Sequence, residues 1–239
     1  MKKMFIFFLM IPFLGFSQTK TVVSVDRVFP KADKGSEFEK ALAAHAQKYH
    51  TGNWKWRVSE IQTGPDAGGF QIAEGPNNWT TLDTRGTISA EHTTDWSKNV
   101  SPLLSEKGSS AFSIYNEELS TVQMTDYSDN IIISHNYLKP GMMDKFKEEL
   151  KKLKPAWVAG KENVAVYESF ASGGPQIILV SRLKNGLKEL EKDYRKPMRE
   201  RYDAANGAGS WDAYLKMYAE CIDSRWSEMM KYRADLSSK

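Results

Sequence analysis

The chain says nearly the same thing twice, and that repetition constrains its fold more than any other feature. GGFQI at residues 68–72 is echoed by GGPQI at 173–177. Laid over itself at an offset of 108, the sequence sets VVSVDRVF (22–29) on NIIISHNY (130–137) and FEKAL (38–42) on FKEEL (146–150). The offset falls to 105 at the GGFQI echo because the first hairpin, SEIQTGPDAGG, is three residues longer than YESFASGG, and insertions of that kind belong in turns. The expectation is a tandem duplication, with a first unit over residues 18–127 and a second over 128–239.

Each unit reads alike. Residues 22–29 alternate around β-branched side chains and stop at Pro30, as a strand does. Phe38, Leu42, His45 and Tyr49 recur at helical spacing and define one amphipathic face. Residues 53–63 alternate again, with Trp54, Trp56 and Val58 on one face, and GPDAGG turns the chain into a further strand. The second unit predicts a strand at 130–137, a helix at 141–154 ending before Pro155, and strands at 162–170 and 175–182. Helical sequence is expected after each hairpin: WTTLD and EHTTDWSKNVSPLLSE, then LKNGLKELEKDYRK and residues 211–236. Within the last, Trp211, Leu215, Tyr218, Ile222, Trp226 and Met229 form an apolar stripe that reads as core. YNEELS at 115–120 fits a fourth strand or a helix end equally well.

The order strand, helix, strand, hairpin, strand, helix, written twice, resembles the ferredoxin-like dimeric α+β barrel superfamily. The resemblance implies an α+β fold: two βαββα(β) repeats whose antiparallel sheets pack as a pseudo-dimeric barrel. Members of the superfamily include cofactor-free monooxygenases, heme-binding and heme-degrading enzymes and stress-responsive proteins, so the fold does not select a chemistry. No cofactor is expected from the residues, and heme is the one that the resemblance allows.

The first residues, MKKMFIFFLMIPFLGFSQ, carry two lysines, an apolar run and small residues, the pattern of a secretory signal peptide over 1–17. Export, to the periplasm or beyond, is therefore expected, with a chain beginning at Gln18. The apolar run is too short to span a bilayer and no later segment approaches one. Without Lys2 and Lys3, the 33 basic side chains fall to 31 against 30 acidic ones. A nearly neutral chain lacking a basic block argues against nucleic acid as a partner. A monomer or weak dimer that binds a small molecule is expected. Cys221, the single cysteine, has no partner in the chain for a disulfide and reads as a small buried group.

No zinc-protease, paired-cysteine, nucleophile-elbow or phosphate-loop motif is present. His45 and His50 in HAQKYH lie five residues apart, roughly 500° of helical rotation and so about 140° out of register, which predicts no metal site on one helix. The repeat supplies a finer comparison, because a departure from the sister unit marks a position put to separate use. His45 stands where the second unit has Leu153, and Trp54 and Trp56 stand where it has Glu162 and Val164. Arg27 and His135 are counterparts, as are Glu60 and Glu168, offering the pairs Arg27 with Glu60 and His135 with Glu168. The candidate ligand-binding set is therefore Arg27, His45, Tyr49, Trp54, Trp56, Glu60, His135 and Glu168, with the site placed between the first sheet and the first helix. No acid, base and nucleophile combine into a catalytic group. Three classes of function remain open: a binder of a small, partly aromatic ligand, a cofactor-free or heme-dependent monooxygenase-like enzyme, and a non-catalytic envelope scaffold.

Overall fold

Alternating apolar residues in eight segments build eight strands, and in the computed structural model these close into one antiparallel barrel. The structure describes residues 21–239, so the leader expected over 1–17 lies outside the described residues. In chain order the first half contributes β1 (Val22–Pro30), α1 (Gly35–Tyr49), β2 (Trp56–Ile61), β3 (Phe70–Asn77), the short helices α2 (Trp79–Asp83) and α3 (Ala90–Asp95), and β4 (Leu104–Asn116). The second half contributes β5 (Asn130–Leu138), α4 (Met143–Ala159), β6 (Val164–Phe170), β7 (Gln176–Arg182), α5 (Met198–Asn206), α6 (Ser210–Cys221) and β8 (Ile222–Tyr232). Around the barrel the order is β1-β3-β2-β8-β5-β7-β6-β4. One half thus runs β4-β1-β3-β2 and the other β8-β5-β7-β6, joined at the β2–β8 and β4–β6 seams. Four steps separate β1 from β5, so the two first strands face each other across the lumen.

Most strands bury residues on both faces, the exceptions being the exposed stretches Glu106–Ser110 of β4 and Asp223–Arg225 of β8. On the outer face, α1 sets Phe38 and Leu42 against Val58, Phe70 and Ile72. On the second half, Phe146, Leu150, Leu153 and Trp157 of α4 pack with Tyr202, Tyr214, Met217 and Cys221 over Val164, Val166 and Ile177. The inner face carries its own small clusters, Ile61 with Ile133 and Met230, and Tyr115 with Met124 and Ala165.

Several boundaries differ from the sequence expectations, each for a physical reason. The final helix ends at Cys221, and Ile222–Tyr232 is a strand. Trp226, Glu228 and Met230 satisfy a period of two as well as residues 211–229 satisfy a helical one, and pairing with β5 from Asn130 to Leu138 decides the outcome. The buried stripe of α6 is Tyr214, Met217 and Cys221, while Leu215 is exposed. Helix α4 continues through Pro155 to Ala159, because burying Ala156 and Trp157 outweighs the ~3 kcal/mol that an internal proline costs. The segment LKNGLKELEKDYRK forms only a 3-10 turn, Leu187–Leu190, and the helix lies later, at Met198–Asn206. EHTTDWSKNVSPLLSE is helical to Leu103, ending in a 3-10 turn over Ser101–Leu103; β4 starts at Leu104 and ends at Asn116, so YNEELS holds a strand end. Trp54 sits in a 3-10 turn ahead of β2.

Candidate functional site

Strand parity carries Val23, Val25 and Arg27 of β1 into the lumen, with Arg57 and Ser59 of β2, Ala111 and Ser113 of β4, Ile131 and Ile133 of β5, Tyr167 of β6 and Val180 and Arg182 of β7. They enclose a cavity of about 140 Å³. Its two ends are polar and differ in charge balance.

At one end Arg27 donates two hydrogen bonds to Glu228, Nη1 to Oε2 at 3.1 Å and Nη2 to Oε1, and a third to Asp66 Oδ2 at 2.7 Å. The Gln176 amide lies 2.8 Å from His135 Nδ1, and His135 Nε2 lies 2.8 Å from Glu228 Oε1. This network assigns the proton to Nε2, which donates to the carboxylate. Trp226 stacks on the His135 ring at 3.9 Å. Here two basic groups meet two carboxylates, and the end is a satisfied plug. Arg27 and His135, set on each other by the 108-residue offset of the sequence, touch across the lumen at 3.3 Å.

The other end is not neutralised. Arg57 lies between two tyrosine rings, its guanidinium carbon 3.5 Å from the Tyr232 centroid and 4.5 Å from that of Tyr127. Its hydrogen bond goes to the Ser128 carbonyl at 3.0 Å. Arg182 is buried and donates to the carbonyls of Gln123, Met124 and Asp126, at 2.7, 2.8 and 2.7 Å. Among the described residues neither arginine forms a salt bridge with a carboxylate. Burial, with the repulsion of nearby Arg182, holds the Arg57 pKa below its ordinary value against the pull of Tyr232, Tyr127 and Asp129. Tyr167 accepts a hydrogen bond from Arg182 at 3.3 Å, and burial pushes its phenol up to about 12, so its O–H stays protonated and able to donate. Arg57 has five N–H donors and spends one on the protein.

The residues named from the sequence divide into three groups. Arg27 and His135 reach the lumen plug. His45, Tyr49 and Trp56 gather outside the barrel, between α1, α3 and β2, while Trp54 lies under Arg85 beside that group. Glu60 and Glu168 belong to neither. Glu60 pairs with Arg233 at 3.3 Å, and Glu168 with Lys147 at 3.3 Å and Asn116 at 2.9 Å. The expected pairs Arg27–Glu60 and His135–Glu168 therefore do not form: Glu60 shares the outer face of Val58, whereas Arg27 points inward. The space between α1 and its sheet is filled by Phe38, Leu42 and their neighbours. The sequence reading missed Arg57, Arg182 and Glu228; a charged residue inside an alternating apolar strand was the available signal.

In the outer group the helical argument against a metal fails, because α1 ends at Tyr49. His50, at φ −96° and ψ 84°, has left the helix and turns its ring back. It joins His45 and His92 of α3, so that one ring nitrogen from each lies within 4.8 Å of the other two. Three of the four histidines in the chain meet here. His45 Nδ1 lies 2.7 Å from Asp95 Oδ2, rather than bonding Glu60, and His45 Nε2 is buried with no hydrogen-bond partner. An orphaned buried nitrogen of that kind costs about 1–3 kcal/mol. Burial lowers the pKa of both His45 and His92, favouring neutral rings, although Asp95 opposes this at His45. Glu74 borders His50 and binds Arg85 and the Trp56 indole N–H. Although burial pushes its carboxyl upward, hydrogen bonds from His50 and Arg85 hold it at about 2.

No protein-family pattern and no curated protein matches the sequence. Solved structures do match in fold. A candidate monooxygenase from Lactobacillus acidophilus superposes with a TM-score of 0.53 at 11% identity, over 92% of this chain and 97% of that one. An anthrone oxidase-like protein gives 0.56 at 12%, over 90% and 92%. A candidate chlorite dismutase gives 0.56 at 9%, over 91% and 96%. At such identities the likeness establishes a shared barrel fold and nothing finer.

Proposed function

We propose that the barrel lumen binds a small carboxylate with an aromatic or branched apolar body. The observation that carries this reading is the pair Arg57 and Arg182, two arginines on one cavity that form no salt bridge among the described residues, Asp129 acting on Arg57 only from a distance. Buried charge is costly unless it is paired, and an incoming anion supplies the pair. Arg57 and Tyr167 offer the directed donors, and Arg182, four of its donors engaged by three loop carbonyls and Tyr167, supplies field. The apolar body rests against Val23, Val25, Ala111, Ile133 and Val180. A volume of about 140 Å³ suits one six-membered ring, near the ~150 Å³ of a cavity that holds benzene. Entry is beside Tyr127, which is exposed at the cavity rim.

Benzoate is the test ligand and benzyl alcohol its uncharged comparator. Calorimetry is expected to show saturable benzoate binding, much weaker binding of the alcohol, and a loss of about 10–100-fold in Arg57→Met, the size of a charge-assisted hydrogen bond. Equal affinity for acid and alcohol, or an Arg57→Met protein that binds benzoate normally, would end this reading.

The likeness in fold to candidate monooxygenases supports a second reading, in which the bound molecule is a substrate for oxygenation. Oxygen uptake that depends on the same ligand and falls with Arg57→Met distinguishes it from binding alone. Heme does not suit the lumen: a porphyrin is far larger than the cavity, and both nitrogens of His135 are engaged. The matched strand orders of the two halves support reading the chain as a duplicated ferredoxin-like unit. Export is proposed on the leader pattern alone, and the intact mass of protein from its native host is expected to begin at Gln18; retention of residues 1–17 would refute it.

A further inference from the structure

We propose that His45, His50 and His92 form a mononuclear centre for a zinc-class divalent ion, outside the barrel and separate from the lumen site. The argument rests on which ring nitrogens are spent and which are left. Asp95 accepts from Nδ1 of His45 at 2.7 Å, and the Trp54 carbonyl accepts from Nδ1 of His50 at 3.0 Å. Both contacts place the proton on Nδ1 and leave the Nε2 lone pair facing the cluster, where that of His50 meets His92 Nε2, the arrangement by which outer carboxylates and carbonyls orient metal-binding imidazoles. His45 Nε2 then has no partner in a side chain that is 0% exposed.

His50 Nε2 and His92 Nε2 stand 3.3 Å apart. Tetrahedral zinc with Zn–N bonds of about 2.0–2.1 Å requires ligand nitrogens about 3.3 Å from each other, so this pair already has the spacing of two ligands on one ion. The widest separation among the three is within 4.8 Å, and closing it takes a ring movement on the order of 1 Å. Neutral nitrogen donors without thiolate or carboxylate select the zinc and copper end of the divalent series over magnesium or calcium. Trp56 stacked on His50 at 3.4 Å and Trp96 edge-on to His45 at 5.2 Å form a rigid apolar collar.

Three protein ligands leave a tetrahedral ion one position for water or an exogenous ligand. His92 and Trp96 also line a groove of about 610 Å³ against β1 and β4, with Asp26 and Ser110 on its wall, so the open position has a route to solvent. The inference does not depend on the lumen binding a carboxylate, and each can fail without the other.

The test uses the full chain stripped with a chelator, loaded with Zn²⁺ or Co²⁺ and desalted. One zinc per chain is expected by elemental analysis, and Co²⁺ is expected to give the visible absorption of a four- or five-coordinate nitrogen site. His92→Ala, on the short and partly exposed α3, is expected to retain the far-UV spectrum and metal-free unfolding midpoint while losing at least about 100-fold in Zn²⁺ affinity. Asp95→Asn, which acts through His45, is expected to lose about 10-fold. His50→Ala provides a second ligand variant. Failure of the wild-type chain to retain stoichiometric zinc, or zinc uptake indifferent to both His92→Ala and His50→Ala, would overturn the assignment and leave a buried histidine cluster that holds only the fold.

Discussion

Replacing Glu228 by alanine is expected to lower the unfolding free energy by about 3–5 kcal/mol, the cost of leaving the buried Arg27 guanidinium without its carboxylate. The side chain is fully buried, grips Arg27 with both oxygens and accepts from His135 Nε2. Its removal leaves Arg27 with Asp66, which is partly exposed, and leaves the imidazole N–H without an acceptor. For a domain of this size the loss corresponds to a fall in Tm of roughly 6–20 °C. Glu228→Gln, which keeps the shape and one acceptor, is expected to cost less. Removing both charges in Arg27→Met with Glu228→Met is expected to cost less than Glu228→Ala alone, since Asp66 keeps Lys107 and only the neutral His135 N–H is left without its acceptor. Urea unfolding measures all three. A cost below about 1 kcal/mol for Glu228→Ala would mean that water reaches the plug and that the lumen is not closed at this end.

The second large effect is expected at Arg182. Its guanidinium satisfies three carbonyls, of Gln123, Met124 and Asp126, and so pins the segment between β4 and β5 over the barrel end. Arg182→Met preserves much of the side-chain length and removes every donor. Even if water reaches one of the carbonyls, the stability loss is expected to be about 2–4 kcal/mol. Chymotrypsin is expected to cut at Tyr127 in the variant much faster than in the wild type, because Tyr127 lies in the released segment. Benzoate affinity falls with it, as both the charge and the rim of the cavity are lost. Undiminished protection of Tyr127 would show that the segment is held by its own packing, with Arg182 contributing charge alone.

Much of the molecule is legible along the chain because the information is local. Alternation in VVSVDRVF and NIIISHNY specifies strands whatever they pair with, and the spacing of Phe38 and Leu42, or of Phe146 and Leu150, specifies a buried helical face. Comparison of the two halves also singled out His45, by its contrast with Leu153, and that residue does carry the orphaned nitrogen.

What resisted reading depends on contacts that no local pattern encodes. A barrel strand wrapped by helices buries both faces, so apolar alternation does not say which face is the lumen. Arg27 was therefore matched with Glu60, which faces the other way, and not with Glu228, 201 residues distant. The WDAYLKMYAECIDSRWSEMM run fits two periods, and only the vacancy between β2 and β5 selects a strand for its second half. Helical register separates His45 from His50, yet one residue outside the helix reverses that conclusion and brings in His92 from another element. The sequence by itself determined most of the strands, the two long helices and some of the residues worth suspecting, since propensity and periodicity act over a few neighbours. Tertiary structure alone decided which charges balance and which do not, because pairing is settled by barrel closure across the whole length of the chain.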